Sequence, residues 1–395
     1  MGNSRIADFG TVITGSTPSS KNPELFGDVY PFITPTDIDS GRTVNTARKL
    51  SEAGYKKFHS LMLPPRSVCF VCIGATIGKI CMPKEYSLTN QQINSIVVDT
   101  SRHNPYYVYY LLSTYAEKVA SIAGGAATPI VNKTNFENIE APMPSLFLQN
   151  KIAAILSAYD DLIENNLRRI KILEEMAQNL YREWFVNFRF PGHENTRFVD
   201  SHLGKIPEGW ETVKVGELLK STKRVAKIPK GKYLAIGPYP IIDQGKDFIG
   251  GYTYEEEAVI KSELPIIIFG DHTRALKFIN FPFVRGADGT QLLKSNNDRM
   301  PMSLFYYTLL AIDLSNYAYA RHFKFLKEEM VIMPDKNTVD SFNSFVEPIL
   351  DLKIHLLVQV NQNLRQTRDL LLPKLISGEV DVSELEIKVP EEVAI

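Results

Sequence analysis

The sequence predicts an α+β fold in which two β-rich domains, related by an internal repeat, are separated by two long helices. Three observations predict it. First, from Ile152 to Trp184 side chains recur in alternating steps of four and three: Ile152, Leu156, Tyr159, Ile163, Asn166, Ile170, Leu173, Ala177, Leu180 and Trp184. Strict alternation of that kind marks a coiled-coil seam, which is narrower than the apolar stripe of an ordinary surface helix. Second, the pattern returns roughly 190 residues later as Leu350, Ile354, Leu357, Asn361, Leu364, Arg368, Leu371 and Leu375. Third, the segments before the helices repeat as well. Ile6-Ala7-Asp8-Phe9 matches Val215-Gly216-Glu217-Leu218, and Tyr30-Pro31-Phe32-Ile33 matches Tyr239-Pro240-Ile241-Ile242, both at an offset of 209. The seams match at 191 (Leu173 with Leu364), so the second β-rich region is about 18 residues shorter. Two halves with variable loops on a shared frame behave this way.

A chain of 395 residues exceeds one ordinary core and calls for two or three domains. The formal net charge of −1 is low for a protein that holds nucleic acid by bulk positive potential. Charge is uneven, however. Lys220, Lys223, Arg224, Lys227, Lys230 and Lys232 cluster without an acidic neighbour, whereas Glu379, Asp381, Glu384, Glu386, Glu391 and Glu392 crowd the C-terminal tail. Met1 to Gly15 lack the apolar core of a signal peptide, and the longest strongly apolar run, Leu264 to Phe269, is too short to span a bilayer. The three cysteines, an odd number, fit a reducing cytoplasm better than a secreted disulfide framework. Cys69 and Cys72 have metal-like spacing but sit in a strand-like run. Residues three apart on a strand face opposite ways, so buried structural thiols are expected.

Taken in order, Tyr30 opens a β-rich region, and Ser67 to Ile80 reads as strand, turn, strand around Gly74 to Lys79. The β-branched run Ile93 to Val98 follows Asn90-Gln91-Gln92. Asn104-Pro105 reads as the cap and first position of a helix through Tyr106 to Ala120. A small-residue loop, Ala123 to Thr128, leads to Pro142 and Pro144, and the first long helix starts there. Pro191-Gly192 stops it, and polar residues to Ser201 read as a linker. Ile206-Pro207-Glu208-Gly209-Trp210 opens the second half. Pro348 falls inside the second periodic stretch, where a helix begins or kinks. The expected segments are 1–144, a first β-rich domain; 145–189, a long helix; 190–204, a linker; 205–334, a second β-rich domain; 335–378, a second long helix; and 379–395, an acidic tail.

No motif carries catalysis. Asn104-Pro105-Tyr106-Tyr107 approaches the Asn-Pro-Pro-Tyr tetrad that holds a flipped adenine, but the second proline is missing. What repeats, at Met300-Pro301, is the helix-starting proline, so a structural role is expected. No glycine-rich strand-to-helix turn is present to bind S-adenosylmethionine, and Gly74 to Lys79 lacks the spacing and hydroxyl of a phosphate loop. The histidines show no metal-ligand spacing. Gly270-Asp271-His272-Thr273-Arg274 has no nucleophile near it in sequence. Its polar and basic groups on a loop suit hydrogen bonding to base edges or phosphates. Asn166 and Asn361 are buried polar seam residues of the kind that cost stability but fix register and partner.

Several segments together carry a family resemblance. They are Tyr181-Arg182-Glu183-Trp184-Phe185-Val186-Asn187-Phe188-Arg189-Phe190-Pro191-Gly192, Ile206 to Trp210, and Arg368-Asp369-Leu370-Leu371-Leu372-Pro373-Lys374-Leu375-Ile376-Ser377-Gly378. In this order, on a two-fold repeat, the chain resembles the specificity subunit of type I restriction–modification systems over essentially its whole length. One departure is that the first half lacks the Ile-Pro-x-Gly-Trp opening and begins almost directly at Ile6.

The resemblance implies two target-recognition domains, each reading half of a gapped site in double-stranded DNA. Two long helices packed antiparallel as a coiled coil would separate them. It further implies two copies of an adenine methyltransferase subunit, which would hold S-adenosylmethionine, and a restriction subunit with translocase and nuclease activity that could join them. In that family the subunit has no catalytic site, cofactor, metal or membrane segment of its own. A self-sufficient DNA-modifying enzyme is the alternative class. Loop-tip positions on the repeated frame nominate the DNA contacts: Thr76, Lys79, Asn90, Gln91, Gln92, Thr128 and Lys133 in the first half. In the second they are His272, Thr273, Arg274, Gln291, Arg321 and Lys324. The helix-pair seam is expected at Ile163, Asn166, Ile170, Leu173, Leu180, Trp184, Ile354, Leu357, Asn361, Leu364, Leu371 and Leu375.

Overall fold

The computed structural model describes residues 2–39, 41–122, 129–221, 225–234, 237–317, 321–350, 355–391 and 393–394. Thr128 and Ile354 lie outside the described residues, as do Lys223, Arg224 and Glu392 of the charge clusters. The chain divides into two compact units: Met1–Asn165 with Asn361–Ile395, and Asn166–Val360.

In the first unit a four-stranded antiparallel sheet runs in the order Gly10–Thr14, Ile93–Val98, Val68–Val71, Ile80–Cys81. Its central strand is apolar at every position because both faces are covered. Val68 and Phe70, with the following Cys72, join Tyr107, Leu111, Phe136, Ile152 and Leu156 in one core; Cys69 and Val71 join Ile33 and Ile93 in another. Cys69 and Cys72 thus face opposite ways, as their spacing requires. Burial pushes the Cys72 thiol up to about 12. A second sheet pairs Phe26–Gly27, Arg48–Leu50, Tyr30–Ile33 and Leu88–Thr89, the last two parallel. Asn104 caps the helix Pro105–Ser113 by accepting from the amides of Tyr106 and Tyr107. Its own amide donates to Asn150 and to the Val393 carbonyl. Every polar atom of that residue is engaged, so the tetrad-like Asn104 to Tyr107 is a helix start. The helix expected to reach Ala120 breaks instead after Ser113 and restarts as Ala116–Ile122.

The second unit repeats the plan. The one-turn helices Ile6–Phe9 and Val215–Leu218 correspond, and the strands Tyr30–Ile33 and Tyr239–Ile242 share one burial pattern. Tyr239–Ile242 again pairs parallel with a later strand, Phe283–Arg285. Ile266–Gly270 stands centrally between Leu276–Ile279 and Thr290–Leu293.

The first long helix spans Leu146–Tyr181 and ends in a π turn at Arg182–Val186, before Pro191-Gly192 is reached. The second stretch comprises Lys336–Glu347, capped by Asp335 and ending at Pro348, and His355–Ser377. Pairing is antiparallel. In the first unit Asp160 meets Arg368, and the Asn361 amide reaches the Ile163 carbonyl at 3.5 Å; in the second, Ala177 and Leu350 share a core. Of the expected seam, Ile163, Asn166, Asn361, Trp184 and Leu375 are buried, and Ile170, Leu173, Leu180, Leu357, Leu364 and Leu371 are half-buried. Two helices alone cannot cover mid-helix positions fully. One expectation is corrected: Tyr159 is half-buried, and Asp160 takes the most enclosed place.

One other expectation changes. Residues 190–204 are no free linker. Phe198–Ser201 forms a hairpin with Gly204–Pro207, and Phe190, Ile206 and Trp210 are buried in the second core. The acidic tail is folded onto the first core, where Val382 and Val393 are buried. Lys151 holds it by donating to the carbonyls of Ser383 (2.6 Å), Leu385 (2.8 Å) and Val382 (3.4 Å). An ammonium removed from water needs such acceptors, and they come from residues more than 200 positions away.

His103 is buried against Phe9, with Nε2 donating to the Asp8 carbonyl at 3.1 Å and Nδ1 without a partner among the described residues. Burial holds its pKa below the ordinary 6.5. A depressed folded pKa gives stability that is present above the unfolded pKa and lost as pH falls toward the folded one. The melting temperature should therefore begin to drop below about pH 6.5. His103→Gln should flatten that part of the profile; an unchanged slope would contradict the assignment.

Candidate nucleic-acid interface

The parallel pairing of Tyr30–Ile33 with Leu88–Thr89 sends Thr34–Ile38 and Asn90–Gln92 out at the same end. Val71 opposite Ile93 brings the 72–79 turn to that end too. Three loops therefore converge, and their bonds tie them together. Asn90 donates its backbone amide to Ile33 and its side-chain amide to Gln92 Oε1, while Cys72 donates to the Gln92 carbonyl. Thr17 donates to the exposed Gln91. Thr76 is half-buried in the turn, where its carbonyl accepts from Lys79. Lys79 Nζ is engaged by the carbonyls of Pro35 (3.1 Å) and Ile38 (2.6 Å). It acts as a strut between loops, which revises the expectation that it points outward. Lys133 is exposed at the start of Lys133–Glu137 and pairs with Glu137 at 3.6 Å. The preceding segment runs beside the same turn, with Gly74 donating to Pro129 and Val131 to Cys72.

The second unit builds the same cluster from Asp243–Ile249, Gly270–Ala275 and Gly286–Gly289. At its centre is Gln244, which the sequence analysis passed over. Its Oε1 accepts from the His272 amide (3.1 Å), its Nε2 donates to the Asp288 carbonyl (2.8 Å), and its carbonyl accepts from the Thr273 hydroxyl. Lys277, also missed, is buried beneath the loop and donates to the carbonyls of Asp243 (2.9 Å) and Asp247. The repeat held a signal for the loop, because the offset of 209 sets Asp243 and Gln244 against Thr34 and Pro35. Lys277 sits in an apolar strand and gave none.

Asp271 accepts from the Phe323 amide through its carboxylate (2.9 Å), and its carbonyl receives the His322 amide and ring Nδ1. That docks the helix His322–Glu328 against the loops and places exposed Arg321 and Lys324 beside them. With its carboxylate capping a helix, Asp271 is not paired with His272 as acid and base. His272 and Arg274 are exposed. Arg274 adopts a left-handed φ of 62° and donates one guanidinium hydrogen to the Leu314 carbonyl, leaving other donors outward. Gln291 is half-buried on its strand opposite Phe269.

The arrangement presents amides, hydroxyls and, in the second unit, a rim of cations on braced loops. Such groups read base edges and neutralise phosphates. A family model described as the type I restriction modification DNA specificity domain matches residues 1–175. The type I restriction enzyme MjaIX specificity subunit of Methanocaldococcus jannaschii is 30% identical over 410 residues, spanning 96% of this chain and 94% of that one. The chain belongs to the type I restriction–modification specificity subunits. Among other relatives, the HindI specificity subunit of Haemophilus influenzae is 32% identical over 178 residues, 43% of this chain and 38% of its own length. The crystal structure of a type I S subunit from M. genitalium matches with a TM-score of 0.58 at 16% identity, covering 95% of each chain. That likeness agrees with the fold class, two α+β domains separated by long helices. Specificity subunits are recognition components without catalysis of their own. No helix among the described residues is long and apolar enough to cross a membrane.

Proposed function

We propose that this specificity subunit reads a bipartite site in double-stranded DNA, one half through each loop cluster. One observation carries the reading: the same three-loop arrangement is built twice, at corresponding strand ends, with different side chains at the tips. A shared frame with changed tips suits two different half-sites. The first cluster offers Gln91, Gln92 and Thr76; the second offers His272, Thr273, Arg274, Arg321 and Lys324. The long helices act as spacer and as platform for two copies of an adenine methyltransferase subunit. That partner supplies S-adenosylmethionine, and a restriction subunit with translocase and nuclease activity joins the same complex. The half-buried mid-helix positions Ile170, Leu173 and Leu364 leave apolar surface for those partners.

The test is methyl transfer from labelled S-adenosylmethionine to genomic DNA. The pure chain is expected to transfer nothing. Adding the modification subunit encoded with it should give methylation at one gapped sequence. Transfer by the chain alone would overturn the reading.

A further inference from the structure

The helix pair is apolar along most of its length in the first unit, through Ile152, Leu156, Ile163, Leu371 and Leu375. Apolar knobs of this kind repeat every seven residues, so by themselves they tolerate a slip of one heptad. A charged pair interrupts them. Asp160 has a side chain only 4% exposed, and each of its carboxylate oxygens is used by a different element. Oδ1 accepts from Arg368 Nη1 on the second long helix. Oδ2 accepts from the Tyr110 hydroxyl on Pro105–Ser113, a helix of the first β-rich domain. Arg368 is 15% exposed and directs Nε and Nη2 to Asp369 (2.9 and 2.8 Å), which orients its fork. On the next residue, Asp161 accepts from Arg42 Nη2 at 2.5 Å, and Arg42 is itself buried. Glu164, one turn on, accepts from Thr43 (3.2 Å) and Lys84 (2.9 Å). This turn of the helix is where three elements are joined.

We propose that Asp160 is a positioning residue: its carboxylate, shared between Arg368 and Tyr110, sets the register of the helix pair and of the first recognition domain on it. Sliding either helix by a heptad would leave Asp160 against Leu375 or Asn361 and Arg368 without its partner. An uncompensated buried charge excludes that alternative far more strongly than an apolar mismatch does. The repeat carries the carboxylate but not its partner: the offset of 191 sets Asp351, outside the described residues, against Asp160, and Ala177 where a second Arg368 would stand. The inference rests on the DNA reading above only for its consequence, the fixed spacing of half-sites.

Two measurements on the full chain test it. Spin labels at Leu162→Cys and Leu370→Cys, both exposed on the two helices, report register directly, and the native cysteines are buried. One narrow distance is expected for the otherwise unchanged chain. It should broaden or become bimodal in Asp160→Leu with Arg368→Leu, a pair that keeps the seam packed and folded. The swapped pair, Asp160→Arg with Arg368→Asp, should restore most of the narrow distribution. In complex with the modification subunit, the doubly apolar variant should lose, by about tenfold or more, its discrimination against sites up to about 3 base pairs longer or shorter, the span of one heptad. Its half-site sequences should stay unchanged. An unaltered distance distribution in the doubly apolar variant overturns the inference whatever happens on DNA. A bimodal distribution with no bipartite methylation even in the parent complex would overturn the DNA reading and leave the register assignment standing.

Discussion

Trp210→Ala is expected to destabilise the second unit by about 3–5 kcal/mol, the range for deleting a large aromatic from a core. Trp210 is 5% exposed, and its ring centroid lies 5.1 Å from that of Phe190 and 5.8 Å from those of Phe185 and Phe188. It also donates Nε1–H to Asp335 at 2.9 Å. That carboxylate caps Lys336–Glu347 through the Thr338 amide and accepts the Thr338 hydroxyl. Removing the indole therefore opens a cavity and loosens the start of the second long stretch together. Asp335→Ala separates the two effects and should cost only about 1 kcal/mol, a cap's worth. The chain has two tryptophans, both in this unit, so Trp184 fluorescence follows its unfolding. The midpoint should fall by roughly 10 °C. A change below a few degrees would show that the aromatic cluster repacks around the gap.

The second large effect is expected at Lys277, where Lys277→Met keeps the stem and removes the ammonium. Two carbonyls of the 243–247 loop would lose their donor, and the Asp243 carboxylate, 3.9 Å away and largely buried, would lose its counter-charge. Breaking a buried charged contact from one side costs about 3–5 kcal/mol, and here the cost falls on the loop that Gln244 organises. Recognition of one half-site should weaken while the other is unaffected. Specific methylation by the assembled complex should fall about 10- to 100-fold, as for one or two mismatched base pairs. Selectivity at the affected half alone should relax. Equal loss at both halves would mean that the variant perturbs the subunit globally.

How much of this the sequence discloses depends on the range of the interaction. Period and repeat are local and additive, so the helix seam, the matched strands at Tyr30 and Tyr239, and the helix-starting prolines can be read directly. The loop tips follow from where strands end. Long-range polar contacts leave no such trace. Asp160 breaks an apolar pattern and is explained only by Tyr110, 50 residues earlier, and Arg368, 208 residues later. Lys151 and Lys277 look like surface lysines until the carbonyls that surround them are known. The 190–204 stretch and the tail are polar on average, and a few side chains (Phe190, Ile206, Val382, Val393) decide that they pack. Averages over a window cannot show that.

The central claim is that helix length sets the distance between two independently read half-sites. It is tested most directly by removing one heptad from each long helix, residues 166–172 and 355–361, and mapping methylation in a host that carries the partner subunits. Seven residues shorten a helix by about 10 Å, equivalent to at most about 3 base pairs of duplex. The preferred gap is predicted to shorten within that limit, with both half-site sequences unchanged. A gap that stays at its original length, with methylation intact, would contradict the account.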